Sequence, residues 1–185
     1  MFIQTEQTPN PATLKFLPGQ PVLGEGTAEF DDPLDAEAKS PLAMRVFGVD
    51  GVKSVYLGQD FVSVTKHEGF DWYLLKPAVL GAVMEHFMSG EPVLLAATTP
   101  EPAAVIDDDD PTVRQIRELI DTRVRPAVAR DGGDITLHGY ERGIVYLHMR
   151  GACSGCPSSA MTLKSGIENL LKYYVPEVVE VRAVN

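Results

Sequence analysis

Cysteine is scarce in this chain: Cys153 and Cys156, three positions apart, are the only two in 185 residues. Two cysteines are too few to staple a small secreted scaffold. Bases are also short, 16 against 26 acids, which gives a net charge of −10 and a pI of about 4.8. That balance disfavours a protein held on phosphate backbones by bulk electrostatics, so no nucleic-acid partner is expected. Long apolar runs are missing too. Val93 to Ala97 and Ala78 to Val83 fall far short of the roughly 20 residues a membrane span needs, so no membrane partner is expected either. The first twenty residues hold one Lys, no Arg and three prolines, without the look of a secretory signal or an Arg-rich presequence. The expectation is a soluble, cytoplasmic protein. What the chain does have, 44% hydrophobic and 23% charged residues, is enough to bury a core in one or two domains.

Composition breaks sharply between Ala97 and Thr112, where TTPEPAAVIDDDDP carries three prolines, five acids and no base. Such a stretch repels itself into extension, and we read 98–111 as an acidic linker between domains 1–97 and 112–185. Charge then partitions as −7 before the linker, −5 within it and +2 after it. In the first domain Thr13 to Leu17 and Thr27 to Phe30 read as short strands. Ser40 before Pro41 is an N-cap and first-turn pair for a short helix. Val52 to Leu57 and Phe61 to Thr65 alternate around Gly58-Gln59-Asp60 as a hairpin. Asp71 can cap a longer helix along Leu74, Leu75, Val79, Val83 and Phe87, although Pro77 inside the pattern offers a later start. His67 and His86 read as exposed or hydrogen-bonded structural residues, and Trp72-Tyr73 as packing. No cluster in this half looks chemical.

The second domain is more legible. Val113, Ile116, Ile120, Val124 and Val128 repeat at helical spacing, so one amphipathic helix is expected over about 112–130, kinked at Pro126. Asp131-Gly-Gly-Asp134 ends it. Ile135 to Tyr140 and Ile144 to Met149 read as a second hairpin, Ala160 to Tyr174 as a second helix, and Val178 to Val184 as a last strand. The fold class is therefore α+β, two small mixed domains, the second in the order α-β-β-α-β with two helices on one side of a small sheet.

Between hairpin and second helix lies Gly151-Ala-Cys153-Ser-Gly-Cys156-Pro157-Ser-Ser. Pro157 suits a first helical turn, which places Cys156 at the N-cap, where the positive helix end favours thiolate. The glycines let the backbone bend round whatever the sulfurs bind. Haem attachment fails for want of a His after Cys156. A dithiol redox site remains open, although the surrounding βαβ core is missing. A zinc ion or an iron–sulfur cluster wants four thiolates, of which one chain supplies two. If metal binds, an isologous homodimer completes the set. His138 and His148 are strand residues and read as bystanders. Two merely structural thiols fit poorly with a Gly/Ser-rich loop off any apolar face.

Residues 131–168, DGGDITLHGYERGIVYLHMRGACSGCPSSAMTLKSGIE, resemble the C-terminal domain of the NifU-like (Nfu) iron–sulfur scaffold proteins, whose hallmark is a DGGD turn followed by GxCxxCPSSxxTLKxGIE. MFIQTEQTPNPATLKFLPG, SPLAMRVFGVDGVKSV and FVSVTK resemble the Nfu N-terminal domain, so the likeness covers nearly the whole chain. It implies a protein that is not an enzyme. Cys153 and Cys156 of two protomers would bind one [4Fe–4S] cluster and deliver it to apo iron–sulfur clients, after upstream assembly proteins have supplied it. The family's bacterial cytoplasmic form is the expected one, ahead of a mature mitochondrial protein. Arg150 and Lys164 are candidates to offset the cluster's negative charge, and Ser158 and Thr162 to donate to sulfur. A thiol-disulfide oxidoreductase and a zinc-bridged structural dimer are the rival readings.

Overall fold

The structure, a computed structural model, describes residues 1–96, 98, 110–154 and 157–184, with the side chains of 157–159 outside the description. The chain divides into two compact units, residues 1–101 and 102–185. Most of the expected linker lies outside the described residues, and its last two members belong to a helix: Asp110 caps it and Pro111 opens it.

In the first unit, β1 (Gln4–Gln7), β2 (Thr13–Leu17), β3 (Ala28–Phe30), β4 (Val52–Leu57) and β5 (Val62–Lys66) form one antiparallel sheet in the order β1-β2-β5-β4-β3. β1 is polar throughout and is held by backbone pairing, Gln4 opposite Leu17 and Gln7 opposite Leu14, so it lacks the apolar alternation that marks a strand in sequence. Three helices complete the unit: α1 (Pro33–Lys39), α2 (Pro41–Phe47) and α3 (Trp72–Ser89). Each begins as its cap residue dictates. Asp32 accepts from the Leu34 N–H, Ser40 from Ala43 and Asp71 from Tyr73, each satisfying an N–H that the first turn leaves without a partner. Phe16, Leu42, Val46, Val55, Leu57, Val62, Val64, Val79 and Val83 make the core, each large side chain contributing about 1.5–3 kcal/mol by leaving water.

α3 takes the earlier of its two expected starts, at Trp72 behind the Asp71 cap, and carries Pro77 in its second turn. Its inner face differs from the expected one. Leu74, expected on the core face, is 73% exposed, while His86 is wholly buried. α3 is apolar nearly all round, so periodicity alone cannot choose its inner face.

In the second unit α4 (Pro111–Leu119) runs into a π-helical turn at Ile120–Val124 and on into α5 (Arg125–Arg130). The sequence predicts a kink at Pro126. The structure instead widens the turn just before it, with the Arg125 N–H donating to the Ile120 carbonyl five residues back. Proline lacks an N–H and its ring crowds the preceding turn, and a π-turn relieves both. β6 (Gly133–Glu141) and β7 (Ile144–Gly151) pair antiparallel across the two-residue turn Arg142-Gly143, with a bulge between Leu137 and Gly139. β8 (Glu180–Val184) runs parallel to β7, reached through α6 (Pro157–Tyr174). Ile135, Leu137, Val145, Leu147, Met149 and Val181 pack with residues of both helices in a single core, so both helices cover one face. Glu168 ties α6 to β8, accepting from Lys172 at 2.7 Å and from the Val181 N–H at 3.1 Å, and these bonds hold its carboxyl below its usual range.

Candidate functional site

β7 ends at Gly151, which has φ +59. From there the backbone closes a tight turn: the Cys153 N–H donates to Arg150 O at 3.3 Å, and the Ser154 N–H and hydroxyl both donate to Gly151 O at 3.1 and 2.9 Å. This turn points the Cys153 sulfur inward. Cys153 is 6% exposed and belongs to the hydrophobic core with Met149, Ile135 and Ile167. The expectation of a cysteine pair off any apolar face is therefore corrected for Cys153. Cys156 lies outside the described residues, but α6 begins at Pro157, as the first-turn reading requires.

The DGGD segment forms the seat for this sulfur. Asp131 caps α5, and Gly132 reverses the chain at φ +80, a conformation side chains resist. The Gly132 carbonyl then accepts from the Ala152 N–H at 3.2 Å, tying the two loops together. Gly133 must be glycine for a steric reason. A Cβ there would stand 2.5 Å from Cys153 Sγ, 2.8 Å from Arg150 O and 2.9 Å from Cys153 N. Asp134 fixes the other end. Its carboxylate, 5% exposed, accepts from Arg125 Nε and Nη2, both at 2.9 Å, and also from the Ile135 N–H at 2.9 Å. A bidentate pair of this kind is directional as well as strong. The hydrogen bonds to Asp134 raise the Arg125 pKa further above its already high value, so the guanidinium stays charged. The π-turn has a role here: one extra residue in a turn rotates the next helical segment by about 100° about the helix axis, and Arg125 is the first residue of that segment.

Gly133 and Asp134 belong to the DGGD segment, which the sequence marks only as a turn, and Arg125 carries no motif of its own. The usable signal is an acid at the head of a buried strand with an arginine one helical segment before it, since a buried carboxylate needs a partner. Among the residues that the sequence does suggest, Arg150 stands opposite Asp134 in the β6–β7 register and its carbonyl shapes the turn. Lys164 acts elsewhere, lowering the carboxyl pKa values of Glu168 and Glu180 through its charge, after their direct hydrogen-bond partners. Thr162 is exposed, and the Ser158 side chain lies outside the described residues. His138 sits at the β6 bulge and is exposed. Among the described residues no three of His, Cys, Asp or Glu converge as a metal site, and no helix is long and apolar enough to cross a membrane.

Fold and loop together define a protein of two α+β units, one of which carries a cysteine turn locked between a hairpin and a helix. Residues 3–90 match the family model described as scaffold protein Nfu/NifU N terminal, and residues 116–182 match the NifU-like domain. The chain belongs to the Nfu family. Among curated relatives, proteins named "NFU1 iron-sulfur cluster scaffold homolog, mitochondrial" from Drosophila ananassae and Drosophila erecta are 51% and 52% identical over all 185 residues. The chain spans 64% and 65% of their lengths. A solution structure of a NifU-like protein from Saccharomyces cerevisiae is 27% identical, with a TM-score of 0.47, over 52% of this chain and 86% of that one. The expectation of a bacterial cytoplasmic protein is overturned by these relatives, which carry the mitochondrial name across every position of the chain. Composition and charge do not separate the two compartments, since a mature mitochondrial protein reads similarly.

Proposed function

We propose that this protein is an iron–sulfur cluster carrier in which Cys153 and Cys156 of two protomers hold one [4Fe–4S] cluster as cargo and pass it to apo-proteins. Family membership and the scaffold name of its relatives support the coarse reading. The observation that carries the finer one is the seat of Cys153: Gly133 of the DGGD segment stands against this sulfur at the end of β7, on a strand head that Arg125 and Asp134 hold, directly before the helix that begins after Cys156. A cubane with four thiolates has net charge of about −2, which a helix N-terminus stabilises. With two cysteines per chain, the four-sulfur set closes across a two-fold axis.

Transfer is ligand exchange without redox change. A client thiolate bonds to one iron as the Fe–Sγ bond to Cys153 or Cys156 breaks, the departing thiolate takes up a proton, and dissociation of the protomers completes release. Because Cys153 is tucked inward, loading requires the Gly151–Ser154 turn to open, and the buried thiol is shielded between deliveries. Residues 1–97 serve partner recognition, 98–111 tether the domains and 112–185 hold the cargo. Upstream assembly proteins supply the cluster.

Anaerobic reconstitution with iron and sulfide tests this. The unaltered chain develops the visible thiolate-to-iron absorption, and Cys153→Ala and Cys156→Ala each lose most of it. A variant that keeps a normal complement of iron and sulfide overturns the ligand assignment. Colourless protein with zinc, or a reversible intramolecular disulfide with dithiol reductase activity, identifies the rival readings.

A further inference from the structure

The first unit contains a groove that cluster binding does not use. β1 is an edge strand, so half of the peptide groups over Gln4–Gln7 point away from β2 and out of the sheet. Alongside that edge run two adjoining cavities of about 390 and 550 Å³. Both are lined by Thr5, Glu6 and Lys76. Trp72, Tyr73 and Leu14 extend the floor at one end, and Phe2, Ile3 and Leu80 at the other. The α3 members, Trp72, Lys76 and Leu80, recur every fourth residue and therefore lie in one row above the strand. At 1.5 Å per helical residue the row is about 12 Å long, which matches four extended residues at about 3.3 Å each.

The walls say what fits. Trp72 is pinned, its ring 6.4 Å from Phe16 and its Nε1 donating to Pro11 O at 3.1 Å, so that wall is rigid. Phe2 and Tyr73 are 79% and 84% exposed, large apolar rings facing water at the two ends. Glu6 is engaged by Lys15 at 3.6 Å. Lys76 lines both cavities and, among the described residues, makes no ion pair, so the groove's uncompensated charge is one cation in a channel of mixed lining, with apolar rings at its ends and the polar β1 residues along its side.

We propose that this groove binds an extended segment of a client polypeptide, which adds a strand to β1, sets apolar side chains against Trp72 and Leu80, and places a carboxylate on Lys76. Main-chain bonding gives affinity in strand addition, and pockets for alternate side chains give selectivity. A second copy of this chain fits less well, because the one carboxylate of its β1, Glu6, is already engaged by Lys15 and each first domain carries −7. Naming the occupant a client rests on the carrier function proposed above. The test uses cluster-free protein, so its failure leaves cluster binding untouched.

The probes are Thr-Val-Thr-Glu-Thr-Val-NH2 carrying fluorescein on its N-terminus, in which Val, Glu and Val fall on one face, its Glu→Gln twin, its Glu→Lys twin, and a twin N-methylated at alternate peptide nitrogens, followed by anisotropy and by amide shifts of the labelled full chain. Strand addition predicts shifts confined to residues 2–7 and 72–80. The Glu peptide should bind about fivefold tighter than the Gln peptide, as expected of one half-exposed ion pair, and the N-methylated peptide should not bind. Lys76→Glu should reverse the preference, favouring the Lys peptide. Equal binding of the Glu and Lys peptides by both proteins, shifts outside the groove, or undiminished binding of the N-methylated peptide each overturn the proposal. Shifts at 4–7 that appear on concentrating the protein without peptide assign the edge to a second copy and overturn it as well.

Discussion

The two units are similar in architecture and differ in where their buried polar groups lie. In the first, the buried polar side chains maintain the fold: Ser40, fully buried, accepts from the Ala43 N–H at 3.1 Å and donates to Val93 O at 2.7 Å, joining two helices and the segment after the third. In the second, a π-turn leads into an Arg125–Asp134 pair that holds the head of β6, and Gly133 beside it stands against the Cys153 sulfur. Irregular backbone and a buried ion pair are weak devices for stability but strong ones for fixing geometry. The second unit is organised to hold Cys153. The first is organised to persist, and to offer an edge.

Breaking the ion pair should separate the units most sharply. Arg125→Ala leaves the Asp134 carboxylate buried without its partner and should cost the second unit about 3 kcal/mol. Hydrogen exchange resolved by peptide should show that loss in β6, β7 and α5 and none in β2, β4 and β5. Equal loss in both units would contradict the assignment. Gly133→Ala is next. Its methyl would overlap Cys153 Sγ, and overpacking of this kind costs about 1–3 kcal/mol. It should raise the reaction rate of the Cys153 thiol with a maleimide, since the sulfur must turn outward, and an unchanged rate would remove Gly133 from the seat. In the first unit Ser40→Ala should cost about 1–2 kcal/mol through the lost cap and the Val93 bond. Maleimide reactivity at Cys153 should not change.

The smallest effect concerns pH. Both ring nitrogens of His86 lack a hydrogen-bond partner among the described residues, and burial first, then the positive charge of Arg45, lowers its pKa below the ordinary 6.5. The unfolded chain therefore binds this proton more readily than the folded one, so stability rises with pH and the first unit weakens as pH falls through about 6.5. His86→Phe should flatten that dependence between pH 7 and 5. A slope that survives the substitution would place the titrating group elsewhere.

Local and tertiary features differ in how far the sequence reveals them. The hairpins, the Ser40 and Asp71 caps and the α-β-β-α-β order are readable because each has a local signature. β1 is not, since Gln-Thr-Glu-Gln is a strand only by virtue of Leu14–Leu17 beside it. α1 buries Ala36 alone, too little for a periodic pattern. Leu74 and His86 exchange expected places because α3 is apolar on every side. At the site, the cysteine motif is fully visible, whereas the Gly133 contact joins residues 20 apart and the Arg125–Asp134 pair crosses a chain reversal. Such contacts belong to tertiary packing and leave no period in the sequence.

On the proposed function, one chain carries half a cluster site. Native mass spectrometry of the anaerobically reconstituted full chain measures this directly. The expected result is a dimer carrying one four-iron, four-sulfide cluster, alongside cluster-free chains. A monomer that retains a complete cluster, or a dimer whose mass is independent of iron and sulfide, would contradict it.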